Sequence, residues 1–359
     1  WSSRGNVTSV SARFEYHYSD FRQDVRKCLE GYFDVMLYIA NWGSKRVMFR
    51  LPVQLADIKA LKNYEWDREY GEHSISITKS KEYVIIDIQE RLEEGYDEWI
   101  EGEGTLSGFA PLWNDVVAGN YSALYLTWLH FARLDQETMP DDDDDDDDFE
   151  GMKMPPIPAG IGKISSTMER YLDFWGISKD LQAAAAQYSP EQPTISTQKL
   201  EENIQNLPME EKNAFLKRLL HEEPHLRAAL LKRLEIMSPA PAANVSTAPT
   251  LQMILDAETE IAVKRRQSEQ AEAARKRRIE LGIVEKQADR VWQSVYENLE
   301  LKIVRGYDQA FKDLKDLRDL AEMRGTLQDF NTKMREIIDQ YGRFKAFASR
   351  LQTSKLGYI

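Results

Sequence analysis

The sequence predicts an α+β fold: a small antiparallel-sheet head domain with packed helices, followed by a mostly helical C-terminal region. Three observations predict it. The alternating runs SISIT and YVIIDI stand close enough to pair as a hairpin. Apolar residues then recur every three or four positions through most of the remaining chain. Eight consecutive aspartates at residues 141–148, flanked by prolines, separate the two regimes. Strand, helix, strand, helix, hairpin and then helices is the order expected of an α+β domain with antiparallel pairing.

The first element is a strand, because Phe14, Tyr16 and Tyr18 share one face of RFEYHY. Residues 22–39 read as a helix, with Val25, Cys28, Leu29, Tyr32, Phe33, Met36 and Leu37 forming an apolar stripe. A turn at residues 41–44 ends it. The run RVMFRLP, residues 46–52, is a strand closed by proline, and a short helix follows at about residues 54–61. After the predicted hairpin comes an acidic loop at residues 93–104, then helices at residues 106–118 and 121–134.

Like charges at every position of the aspartate run repel one another, so residues 139–162 are expected to be an extended acidic and proline-rich linker between the head domain, 1–138, and a helical region, 163–237. Within that region helices are predicted at residues 163–188, 197–207, 208–220 and 226–237, the third opening on a proline in its first turn. Residues 238–250 are a linker by composition. Residues 251–359 read as a long helix plus a helical hairpin. Residues 251–304 form one helix or two joined near Gly282, and no sustained heptad supports a two-stranded coiled coil. Tyr307, Phe311, Leu314, Leu317 and Ala321 then face one way. Phe330, Met334, Ile337, Ile338 and Tyr341 face back after a turn at residues 324–326, and a short turn at 344–351 closes the chain.

Composition excludes several classes. A single cysteine, Cys28, rules out an intrachain disulfide and any multi-cysteine zinc site, and it fits a reducing compartment. No stretch approaches the ~20 apolar residues that span a bilayer, so no membrane association is expected. The chain opens on Trp1 with no leader pattern behind it, the expectation for a segment that starts inside a longer chain. The net charge of −13 is uneven: −7 over residues 1–137, −9 over 138–151, zero over 152–250 and +3 over 251–359. An acidic front half repels phosphate backbones, so nucleic acid would have to use the back half.

Two stretches resemble known proteins. GYFDVMLYIANWGSKRVMFRLP, residues 31–52, resembles a signature in a family of uncharacterised bacterial proteins, which share an element like EGEG at residues 101–104 and an apolar segment like residues 121–134. YDQAFKDLKDLRDLAEMRGTLQDFNTKMREI, residues 307–337, is similar to the helical hairpin that ends those proteins and some bacterial SWIM zinc-finger proteins. Those bind zinc through three cysteines and a histidine, a ligand set that one cysteine cannot supply. The resemblance implies a bacterial, cytoplasmic origin and carries no activity.

No catalytic, cofactor-binding or metal-binding residues are assigned, and no cofactor is expected. Glu93, Glu94, Asp97, Glu98, Glu101 and Glu103 offer carboxylate oxygens but lack the spacing of a calcium loop. His221 and His225 have ligand-like spacing, but Pro224 between them breaks the helix that would align them. Cys28 sits on an apolar stripe, the place of a core residue. Tyr32, Phe33, Tyr38, Trp42, Trp113, Tyr125 and Trp128 either line a pocket or pack a core. The candidate interaction surface comprises Lys264, Arg265, Arg266, Arg275, Lys276, Arg277 and Arg278, in two clusters 11 residues and so about three turns apart, together with Tyr307 and Phe311. Interspersed glutamates lower the field of those bases.

The leading expectation is therefore a non-enzymatic interaction, regulatory or scaffold protein with a protein partner. An enzyme built from Glu101, Glu103, Arg50, His73 or His130 is the first alternative. A nucleic-acid-associated protein using the basic helix at 264–278 is the second.

Overall fold

A computed structural model describes residues 5–8, 11–14, 21, 23–68, 71–92, 100, 104–137, 152–191, 196–237, 249–354 and 356. It forms the predicted α+β fold in two compact units, Trp1–Ala262 and Val263–Ile359.

The first unit opens with a two-stranded ribbon, β1 (Gly5–Val7) and β2 (Ala12–Phe14). Tyr16 and Tyr18, expected to continue β2, lie outside the described residues. Helix α1 (Val25–Tyr32) is capped by Asp24, whose carboxylate accepts from the Lys27 N–H at 3.2 Å. Strands β3 (Val35–Ala40) and β4 (Ser44–Pro52) follow, then α2 (Ile58–Leu61) running into a 3-10 turn at Lys62–Tyr64. Strands β5 (Trp66–Asp67), β6 (His73–Lys79) and β7 (Tyr83–Arg91) complete an antiparallel sheet of order β3-β4-β7-β6-β5.

The helix predicted over residues 22–39 is corrected: it stops at Tyr32, and Val35–Ala40 is an edge strand. A three- to four-residue apolar spacing also fits a strand that is apolar at nearly every position. Met36, Leu37, Tyr38 and Ile39 pair with Met48, Val47, Arg46 and Lys45 across the turn at Asn41–Gly43. Pairing with β4 and the β preference of valine, tyrosine and isoleucine decide the outcome. Gly43, at φ 127°, supplies the turn conformation that a side chain disfavours.

Helices α3 (Thr105–Phe109) and α4 (Leu112–Val117) replace one predicted helix, divided at Pro111, which has no N–H to continue the ladder. Then come α5 (Ser122–Glu137), α6 (Ser166–Trp175) and α7 (Lys179–Ala186). Gly176, at φ 72°, ends α6 in the left-handed conformation and divides the segment read as one helix. Helices α8 (Thr197–Asn206), α9 (Met209–Leu220) and α10 (Leu226–Met237) fall where the sequence places them, and α11 (Leu251–Lys286) follows.

Strand alternation gives the sheet two different faces. Val47, Phe49, Leu51, Ile75, Ile77, Val84, Ile86 and Ile88 turn toward the main core with α3 to α7, while Met48 and Ile85 turn the other way onto Leu29 of α1. The aspartate run lies outside the described residues, and the stretch after it is no free linker. Met152, Met154 and Ile157 pack on the main core, Ile161 is fully buried, and Tyr64 donates to the Pro156 carbonyl at 2.8 Å. Tyr171, Leu172, Trp175, Leu181 and Ala184 belong to the same core as the sheet, as do Leu251 and Ile254. The sequence-based division at 139–162 therefore runs between segments that share one interior.

In the second unit, α12 (Ala288–Glu300), α13 (Val304–Arg324), α14 (Leu327–Tyr341) and α15 (Lys345–Thr353) enclose a separate core. The junction between α11 and α12 falls at Gln287, and Gly282 stays helical. Gly325, at φ 72°, caps α13 and turns the hairpin. Arg277 of α11 donates to Asp316 and Asp319 of α13, and Arg324 of α13 reaches Glu285 of α11.

Candidate functional site

Four buried charged residues form a chain in the main core. Lys45, on the core face of β4, pairs with Glu90 of β7 at 2.6 Å. Its ammonium also stands 5.6 and 5.3 Å from the ring centres of Phe174 and Trp175, and donates to the Phe174 carbonyl at 3.4 Å. Glu90 lies 3.8 Å from His73 Nε2, which is ion-pair range and too long for a hydrogen bond. His73 Nδ1 meets Asp135 of α5 at 2.7 Å, and the other Asp135 oxygen accepts from Trp66 Nε1 at 2.8 Å. The chain Lys–Glu–His–Asp alternates in sign, as buried charges must to offset their desolvation.

Burial opposes charging His73, but Asp135 and Glu90 outweigh it and push the imidazole up to about 9. Glu90 is held below the ordinary carboxylate range: burial raises it, and His73 and Lys45 prevail. His130, also on α5, stands 6.1 Å from the same Phe131 ring and has no acidic hydrogen-bond partner among the described residues. Burial, reinforced by Arg133, pushes it down to about 4. Its Nδ1 and the buried Tyr125 hydroxyl have no hydrogen-bond partner among the described residues.

Two imidazoles shifted in opposite directions have the form of an acid–base pair, but the geometry does not give them a substrate. His73 and His130 are both closed off from solvent. The third residue of the enzymatic reading, Arg50, lies across the sheet, on the face with Met48, where it pairs with Asp34 at 3.0 Å and donates to the Glu30 carbonyl at 2.7 Å. Glu101 and Glu103 lie outside the described residues, as do Glu93, Glu94, Asp97 and Glu98. A hollow between α4 and α10 measures 40 Å³, and a wider one of 500 Å³ opens beside Leu301, Ile303, Arg305 and Lys312 in the second unit; neither contains a histidine.

The basic side chains of α11 are largely spent on acidic neighbours. Residues 263–276 of α11 are exposed on every side of the helix. Arg265 pairs with Glu269, Lys276 with Glu272, and Arg277 is held by Asp316, Asp319 and Glu280. Burial lowers Arg277, and those two aspartates reverse the shift and raise it. Lys264 also takes part in an interaction. Arg266, Arg275 and Arg278 remain; nine residues of helix put Arg266 and Arg275 on opposite sides.

Tyr307 and Phe311, expected on the same surface, are corrected to core residues. They are 2% and 8% exposed and pack on Phe347 at 6.0 and 5.1 Å. Their stripe faces inward because α12, α14 and α15 cover it. The aromatic set also divides: Tyr32 and Trp42 are exposed, while Trp113, Tyr125 and Trp128 are core. His225 stacks on Trp113 at 4.4 Å and lies 3.3 Å from Asp34, with His221 in the preceding turn. Cys28 is buried, and burial, then Asp24, pushes its thiol up. No three His, Cys, Asp or Glu side chains are placed to hold a metal ion among the described residues. Nor is any helix among them long and apolar enough to cross a membrane.

The surface feature that sequence reasoning missed is α9. Met209, Leu216, Leu219 and Leu220 are 69%, 63%, 63% and 80% exposed. At 100° per residue they occupy an arc of about 100°, the width of a stripe that ordinarily faces a core. The helix is fastened from another side, where Arg233 of α10 grips Glu211 at 2.8 and 3.0 Å. The spacing of seven, ten and eleven residues from Met209 is visible in the sequence; which way the stripe points is not.

No family model, no curated protein and no solved structure matches this chain.

Proposed function

We propose that this chain is a non-enzymatic protein-interaction module of the bacterial cytoplasm, acting as a scaffold or regulator. The observation that carries this reading is the apolar stripe of α9 turned to solvent. Burying a leucine side chain is worth about 1.5–3 kcal/mol, so four large apolar groups left on one exposed face hold a driving force that a partner can use. The buried ionic network supports the same reading from the other side, because its charges are spent on one another and sealed from any substrate. The lone, buried Cys28 and the resemblance of residues 31–52 to bacterial proteins support the compartment.

The test is crosslinking of the full chain in a native bacterial extract, followed by mass spectrometry, beside Leu216→Glu/Leu220→Glu. Both leucines are exposed, so the double variant is expected to keep its circular dichroism and to lose the crosslinked species. Equal crosslinking of the variant, or no stoichiometric species with either chain, ends the reading.

A further inference from the structure

We propose, resting on the reading of α9 as an interaction surface, that its partner is a second copy of this chain, the two α9 helices packing antiparallel across a two-fold axis. Charge decides the occupant. Of the five charged residues of α9, three are engaged within the chain: Glu211 with Arg233, Arg218 with Glu223 at 2.7 Å, and Lys212 with the Gln205 carbonyl at 2.7 Å. The two others, Glu210 and Lys217, are exposed and have no ion-pair partner among the described residues. They are opposite in sign and seven residues apart, so both flank the apolar stripe on the same side, about 10.5 Å apart along the axis.

A two-fold axis relating antiparallel helices brings each flank against the same flank of its mate. Glu210 therefore meets Lys217 of the second copy, and Lys217 meets its Glu210. The two ends of the apolar stripe fit the same reversal. About a centre between Ala214 and Phe215, Met209 exchanges with Leu220, while Leu216 comes level with Asn213 and Leu219 with Glu210. On that centre Glu210 and Lys217 are offset by two residues, about 3 Å of rise, within reach of both side chains. A parallel pair instead sets the Glu210–Lys217 flank against the opposite flank and forms neither contact. A self-complementary surface of this kind is what a closed dimer requires.

Sedimentation velocity of the full chain over a wide concentration range tests the pairing. The wild type is expected to dimerise with concentration, and Leu216→Glu/Leu220→Glu to stay monomeric with unchanged circular dichroism. Glu210→Lys and Lys217→Glu each replace two attractions with two repulsions by symmetry, weakening association about tenfold at low salt. The double reversal Glu210→Lys/Lys217→Glu is expected to restore most of it. A wild type that stays monomeric, single reversals without effect, or a double reversal no tighter than the single ones overturns the pairing. If α9 captures a different protein while the chain itself stays monomeric, the second copy is the wrong occupant and the interaction reading survives. If the α9 substitutions alter neither self-association nor capture, both fall.

Discussion

His73 and His130 both stand near the Phe131 ring, yet they respond to pH in opposite ways. Asp135 and Glu90 act on His73, and the charge that acts most on His130 is Arg133. His73 is raised to about 9 from 6.5, so its contribution is complete below pH 6.5 and is lost as pH rises through 9. His130 is lowered to about 4, so the unfolded chain takes up its proton first and stability falls as pH drops from 6.5 toward 4. Glu90, also lowered, adds to the acid side, because protonating it removes its attraction for His73 and Lys45. Urea unfolding followed by fluorescence of the first unit is expected to show greatest stability near pH 6.5, with losses of a few kcal/mol toward either limit. His73→Gln is expected to flatten the alkaline limb and keep the acid one; a wild-type profile level from pH 6.5 to 9 contradicts a charged His73. Part of this network is readable in advance. His73 has the parity of Ile75 and Ile77, which puts it on the core face of its strand. Its pairing with Glu90 depends on hairpin register, and Asp135 comes from a helix 62 residues away. Tertiary packing alone brings those together.

At the level of elements, local pattern succeeds wherever one period has no competitor. The amphipathic spacing of α8, α9, α13 and α14 has no β-rich alternative, and these helices stand where the sequence puts them. It fails at β3, where VMLYIA suits either period and only its partner strand decides. It also fails at Pro111 and Gly176, which divide single predicted helices for backbone reasons. The direction of a face is a further unknown. The sequence reads Tyr307 and Phe311 as open and they are covered, while the apolar stripe of α9 is bare. Gly306 shows what covering costs in side-chain space. It sits in the first turn of α13 against the end of α12, and a Cβ there meets the Asn298 carbonyl oxygen at 2.5 Å. Alanine is a better helix former by up to ~1 kcal/mol, so propensity alone predicts a gain from Gly306→Ala. The obstruction is backbone and cannot rotate away, so a net loss of about 1–3 kcal/mol is expected instead. A calorimetric scan checks the sign, and a raised melting temperature shows that α12 yields without cost.

Among the described residues the two largest interiors share no residue. The first draws on residues from Val35 to Ile261, the second on residues from Val284 to Leu356. Each has its own large, fully buried side chains: Tyr125, Phe131 and Trp175 in one, Tyr307 and Phe347 in the other. Cooperativity follows shared packing, so two interiors predict two unfolding transitions. Leu129 and Leu314 are both completely buried, one in each core. Leu129→Ala and Leu314→Ala each remove about 2–5 kcal/mol, and each is expected to lower one calorimetric transition and leave the other in place. Fluorescence assigns them, because Trp292 is the only tryptophan among residues 263–359 and packs on Phe330 at 5.8 Å in the second core. The Trp292 contribution to the emission is expected to follow the transition that Leu314→Ala moves. Alanine at either leucine shifting one common transition by the same amount would mean that the two interiors melt as one body.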